Sequence, residues 1–298
     1  MKKRTIIALI VAAALIVIGG ILVVLGLSFT GTAEQSALTQ QDILISEVFE
    51  NLVIDTEDCD VEFAMLSGGA DTRITIFEQA GVAHSVSVGD GTLTIKMMDE
   101  RKWTDHISVY PVYGQWESMK MIVYLPEAEY ASLQVRTDTG DISVAELPVF
   151  REMMLRTTTG DITCTGVSGD VLDCMVTTGH ITLQSGTPNQ VKLHAGTGDL
   201  NVTTTACDEI HLKTDTGNVN AKTVKALTFT STVNTGDIKL EGIQAQTYLQ
   251  AFADTGDITI RNSDAPEVNI ETDTGDVIVP AAWEFQRIET DTGKIKYE

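Results

Sequence analysis

Positive charge is scarce in this sequence. Lysine and arginine number 20 against 42 aspartates and glutamates, a formal net charge of −22 over 298 residues. A nucleic-acid partner needs a basic footprint for its phosphates, so this balance argues against nucleic acid. It suits an exposed soluble surface, or one that collects cations. Cysteine is scarce as well. Cys59, Cys164, Cys174 and Cys207 show no C-x-x-C spacing, which argues against zinc. An exported chain can oxidise such thiols, but the plainer reading is four small buried hydrophobes. The five histidines, His84, His106, His180, His194 and His211, form no metal-binding pattern. There is no G-x-S-x-G elbow. Gly293-Lys294 resembles the end of a phosphate loop, but Ile288 stands where its first glycine belongs.

One long apolar run is present. Residues 1–4 carry three positive charges, and residues 5–31 carry none. The apolar heart, Ile6 to Phe29, has 24 residues, and about 20 cross a bilayer. Signal peptides have shorter apolar regions of roughly 7–15 residues. The segment therefore reads as an uncleaved signal anchor, with the basic end cytoplasmic and the rest outside. A cleaved peptide ending at Gly31-Thr32-Ala33 is the alternative. The expected location is the cell membrane, single-pass, with the C-terminal domain extracytoplasmic. Residues 32–46 read as a polar stalk.

Most of the remaining chain is a repeat. Nine glycines preceded by threonine recur in register, at Gly140, Gly160, Gly179, Gly198, Gly217, Gly236, Gly256, Gly275 and Gly293, at steps of 18 to 20 residues. A fixed period in this range signals a solenoid. Positions −7, −5, −3, +2 and +4 from each glycine are mostly apolar or small: Val191, Leu193, Ala195, Leu200 and Val202 around Gly198, for example. Alternation with period two means strands with one buried face. The parity changes across TG, so the chain turns a corner there. Return segments such as Gln184 to Gln190 hold loop formers. The expected fold is all-β: a β-solenoid of TG(D/N) coils over residues 131–298, preceded by irregular leading coils over 47–130. At about 4.8 Å per coil, nine coils span roughly 40 Å.

Within the leading region, Leu52–Ile54, Arg73–Ile76 and Thr92–Ile95 read as strands, and Asp90-Gly91 as a hairpin turn. Between Asp99 and Ser118 lie Trp103, Tyr110, Tyr113 and Trp116, a candidate binding patch, or else a loop packed over the core's end. In the last strand Ile295 and Tyr297 point inward while lysines and glutamate point out. Such charges blunt an open sheet edge, and Trp283 and Phe285 are placed to fold over that end.

Asp-Thr-Gly, the signature of aspartic proteases, occurs at Asp138, Asp215, Asp254, Asp273 and Asp291. The protease loop continues with Ser or Ala and needs two copies facing at a dyad. Here Asp, Asn or Lys follows, and stacked corners point the same way, so catalysis is not expected. The structural reading gives the glycine a positive φ, the preceding Asp an Asx-turn and the threonines a hydrogen-bonded ladder. A third reading puts Ca²⁺ between Asp254, Asp257, Asp273 and Asp276, where stacked like charges repel. No glycine-rich calcium nonapeptide supports it, and no cofactor is expected.

The stretch "MKMIVYLPEAEYASLQVRTDTGDISV", residues 119 to 144, with the TGDI and TGDV repeats after it, resembles the DUF4097 family, labelled "putative adhesin". The resemblance covers roughly residues 45–298. It implies a β-strand repeat in a bacterial protein and carries over no catalytic residue. No LPxTG wall-sorting signal is present, so the N-terminal segment is expected to hold the protein. The function expected is a membrane-anchored, non-catalytic surface interaction module, with an extracytoplasmic protein or glycan as partner. The alternative is an envelope or sensor-associated protein that binds partners in its own membrane or wall. A polysaccharide-active enzyme is the remote third, since the outward strand positions hold no basic catalytic cluster.

Overall fold

The computed structural model describes residues 38–66, 71–99 and 118–298. The proposed anchor at 5–31 and the aromatics Trp103, Tyr110, Tyr113 and Trp116 lie outside them. Among the described residues no helix is long and apolar enough to cross a membrane. The chain there is all-β, apart from a 3₁₀ turn at Ala281–Trp283.

The alternating pattern forms coils that stack in parallel. Before each TG corner runs a long strand, such as Phe150–Thr159 or Thr187–Thr197; after it comes a short one, such as Ile162–Thr165 or Ile181–Gln184. The register is held by equivalent residues: Thr159 pairs with Thr178, Thr178 with Thr197 and Thr197 with Thr216. Inward positions form columns. Ile162, Ile181, Leu200, Val219 and Ile238 follow one another at 0 % exposure. Each such side chain contributes roughly 1.5–3 kcal/mol by leaving water. Bulk is balanced along the columns: fully buried Phe229 is followed two residues on by Ser231, which pairs with Ala251.

The returns are more ordered than their composition suggests. Gln184 to Gln190 reads as a loop, yet the next strand begins at Thr187. The return carries a second corner and a short third side, where Thr205 pairs with Val224 and Ala226 with Ala245. Leu147, Val167, Val224 and Ile243 point into the core from this side. The coil is therefore three-sided, because each return also supplies a buried residue.

At the leading end the coils are stacked out of chain order. Strands Asn51–Asp55 and Cys59–Leu66 lie between Thr92–Asp99 and Met119–Pro126 on one side and the Gly140 coil on the other. Three antiparallel strands complete this end. Val82–Gly89 pairs with Thr92–Asp99, and Thr72–Glu78 pairs with Met119–Pro126. Thr39–Ile45 pairs with Thr72–Glu78. Its composition suggests a stalk, but Ile45 is buried and Asp42 accepts a hydrogen bond from Thr75 Oγ1 at 2.6 Å. Asp90 and Gly91 both take left-handed φ, 49° and 70°, as a two-residue hairpin requires.

At the other end Arg287–Thr292 and Ile295–Tyr297 pair on one side. Trp283 is buried at 3 % exposure and closes the core, whereas Phe285, expected beside it, stands 96 % exposed.

Candidate functional site: the glycine corner and the outer faces

The corner glycines are fixed by the neighbouring coil. From Gly140 to Gly275 their φ lies between 137° and 157°, a region that L side chains rarely adopt. Close approach is the stricter demand. A Cβ at Gly160 would lie 2.7 Å from the carbonyl carbon of Gly140, and one at Gly179 equally close to that of Gly160. Each glycine N–H donates to the threonine carbonyl of the next coil, as Gly160 does to Thr178 at 3.0 Å. The leading coil has the same corner without the motif: Gly140 packs on the Cys59 carbonyl.

The residue after the glycine carries the chemistry of the corner. Asp161 N–H donates to Asp141 Oδ1 at 2.8 Å, and His180 N–H to Asp161 Oδ1 at 2.7 Å. Asp199 N–H donates to His180 Nδ1, and Asn218 N–H to Asp199 Oδ1. The series continues through Asp237, Asp257, Asp276 and Lys294, and begins at Asp60, which receives Asp141 N–H at 2.9 Å. Aspartate, asparagine and neutral histidine all serve, because each offers an acceptor one coil away. The motif alone suggests an Asx role for the aspartate before the threonine. The described hydrogen bonds give the bridging role to the residue after the glycine. The expected threonine-to-threonine ladder is likewise replaced. Thr157, Thr214, Thr272 and Thr290, three before each glycine, donate to the glycine carbonyl of the preceding coil at 2.9–3.0 Å.

This bonding bears on the calcium reading. Oδ1 of Asp257 and of Asp276 each accept a backbone N–H, which offsets repulsion in the stack. Among the described residues, Asp254, Asp257, Asp273 and Asp276 included, no group of three His, Cys, Asp or Glu side chains assembles into a metal site. The DTG copies share one corner column, so no pair faces across a dyad.

The cysteines are free thiols. Burial, then Asp60 beside it, pushes the Cys59 thiol up to about 12; burial and Asp208 do the same to Cys207. The Cys164 thiol beside it, together with burial, holds Cys174 well above its ordinary value. Cys59, Cys174 and Cys207 therefore supply no thiolate nucleophile near neutral pH.

One cluster has no signal in sequence. Glu78 Oε1 accepts both the backbone N–H and the Nδ1–H of His84, at 2.7 and 2.8 Å, and His84 Nε2 lies 3.2 Å from Thr56 Oγ1. The order is carboxylate, imidazole, hydroxyl. Thr56, His84 and Glu78 are only 3 %, 6 % and 9 % exposed, so the line ties the antiparallel cap to the first corner rather than meeting a substrate. Spacings of 28 and 6 residues hide it.

The long-strand side presents an outer face in two halves. Over the coils of Gly140 to Gly217 its charges are mixed and matched. Arg136 meets Asp138 at 3.6 Å, Lys213 meets Asp215 at 3.7 Å, and Arg156 makes a two-pronged contact with Asp173 at 2.8 and 3.0 Å. Over the last three coils the face turns acidic and carries Tyr248 and Phe252.

The family model of Toastrack DUF4097 matches residues 49–296. No curated protein matches the chain. Solved structures align loosely. A "putative adhesin" of Bacteroides fragilis is 15% identical, with a TM-score of 0.48 over 88% of this chain and 97% of its own. A "putative lipid binding protein" of Parabacteroides distasonis is 18% identical, with a TM-score of 0.36 over 88% of this chain and 94% of its own. A "putative cell adhesion protein" of Clostridium sporogenes is 8% identical, with a TM-score of 0.24 over 87% of this chain and 98% of its own. Likeness at this level carries no argument about function. The match over residues 49–296 does show the family: the chain belongs to Toastrack DUF4097.

Proposed function

We propose that the chain is a non-catalytic surface interaction module. Residues 5–31 hold it in the cell membrane as a signal anchor, and the solenoid outside offers its flat faces to an extracytoplasmic protein or glycan. The observation that supports this most is the use made of the corner acids. Those following the glycines, from Asp141 to Asp276, spend an oxygen on the backbone of the next coil. The acids beside the motif that looks catalytic are therefore the fastening of the stack, and the outer faces are left for contact.

One placement favours a second reading, a partner in the cell's own membrane or wall. The chain enters the described structure at Thr39–Ile45, two strands away from Met119–Pro126. Strands Thr92–Asp99 and Met119–Pro126, which flank the aromatic stretch in sequence, thus belong to the same end as Thr39–Ile45, the first described strand.

The test is capture by crosslinking of the full-length chain on intact host cells. An external glycan or protein is the expected result. Capture of the cell's own envelope components alone moves the assignment to the second reading. A solenoid that added protease cannot reach on intact cells would overturn both.

A further inference from the structure

We propose that the outer face of the last three coils on the long-strand side binds a basic, extended peptide segment. This deepens the interaction-module reading and rests on it.

The first observation is where the aromatics lie. In Gln244–Thr255 the alternate residues Leu249, Ala251 and Ala253 are 0–1 % exposed and face the core. Tyr248, Gln250 and Phe252 therefore face out, each partly exposed. Equivalent outward positions two coils earlier hold Glu209, His211 and Lys213, and one coil earlier Thr228, Thr230 and Thr232. Aromatics make up 6% of the sequence, and two sit four residues apart on the outside of one strand. At about 3.3 Å per residue, that spaces them roughly 13 Å along it.

The second observation is a local irregularity. This coil is one residue longer than its predecessor, and the pairing shifts between Ala226 and Thr228, immediately before Tyr248. An extra residue of this kind re-aims the side chains that follow it, and such bulges concentrate next to functional sites.

The third is a one-sided demand for donors. Asp254, Glu267, Glu271, Asp273, Glu289 and Asp291 lie at outward positions of these three coils, against Arg287 alone. Arg287 is itself engaged, 3.1 Å from Glu289 and 3.8 Å from Glu271. Carboxylates and aromatic faces both favour cationic groups. Lysine and arginine side chains meet both together: ammonium or guanidinium over a ring and counter-charge for the rim. A neutral glycan would stack on the rings but leave the carboxylates unmatched.

The test titrates the full-length chain with fluorescein-labelled oligolysine, oligoglutamate and cellohexaose. Oligolysine is expected to bind, and more weakly as salt rises. The pair Tyr248→Ala with Phe252→Ala should weaken it about tenfold. The pair Glu267→Gln with Glu271→Gln should weaken it severalfold, and these exposed changes keep the result readable if the aromatic variant folds poorly. Removing the same charge from the other half, with Glu152→Gln and Glu209→Gln, should leave binding unchanged. Equal losses from both halves would mean bulk attraction to an acidic chain and would overturn the proposal. So would binding of cellohexaose in place of oligolysine. In either event surface capture on cells still stands or falls separately, so the failure of this site is distinguishable from failure of the module reading.

Discussion

Each coil turns at two conserved-geometry corners, and they obey different rules. At the TG corner glycine recurs, because the carbonyl of the neighbouring coil occupies the space a Cβ needs. At the second corner, six residues later, φ is again left-handed: 48° at Glu146, 66° at Gly166, 55° at Ser185, 51° at Thr204, 56° at Thr223, 67° at Gly242 and 50° at Asn262. Only two of these seven are glycine. A Cβ at Gly166 would meet Glu146 Cγ at 3.7 Å, an ordinary contact. Backbone dihedral alone thus tolerates a side chain at a modest cost, whereas dihedral plus a stacked carbonyl does not.

The comparison can be broken by substitution. Gly160→Ala should cost at least about 3 kcal/mol, since backbone must move in two coils; urea unfolding of the full chain measures it. Asp199→Ala should come next, at about 1–3 kcal/mol, because it leaves Asn218 N–H and Nδ2 without their acceptor. Gly166→Ala should cost under about 1 kcal/mol, the left-handed penalty being partly offset by a stiffer unfolded chain. Thr223→Gly should reverse the sign and stabilise by about 0.5–1 kcal/mol, since a β-branched residue is released from positive φ. Equal losses at Gly160 and Gly166 would remove the distinction between the corners.

The same rule explains what the sequence makes legible. The TG column could be read because sterics force one residue type into nine coils. The second corner was invisible because Glu, Ser, Thr and Asn all occupy it. Asp90-Gly91 was legible since both positions of its turn need positive φ. The out-of-order stacking at the leading end was not, because Asn51–Asp55 offers the same alternating face to either neighbour. Cys59 and Asp60 form a TG-type corner with no TG to mark it. At the candidate binding face, the register counted from Gly256 turns Leu249, Ala251 and Ala253 inward and so Tyr248 and Phe252 outward, but the pairing shift beside them is defined only by the stacked coils. The aspartates drew attention for the wrong member of the motif. The one before the threonine looks like a protease residue, while the one after the glycine holds the next coil.

The ladder of side-chain acceptors ties each corner to the one before it, and amide hydrogen exchange reads it residue by residue. Asp161, His180 and Asp199 lie at exposed or partly exposed corners, yet each amide is bonded to the side chain one coil back. Exchange should be slow at all three. Asp161→Ala should free the His180 amide while Asp199 stays protected. Exchange at the rate of an open turn in the unmodified chain would contradict the ladder.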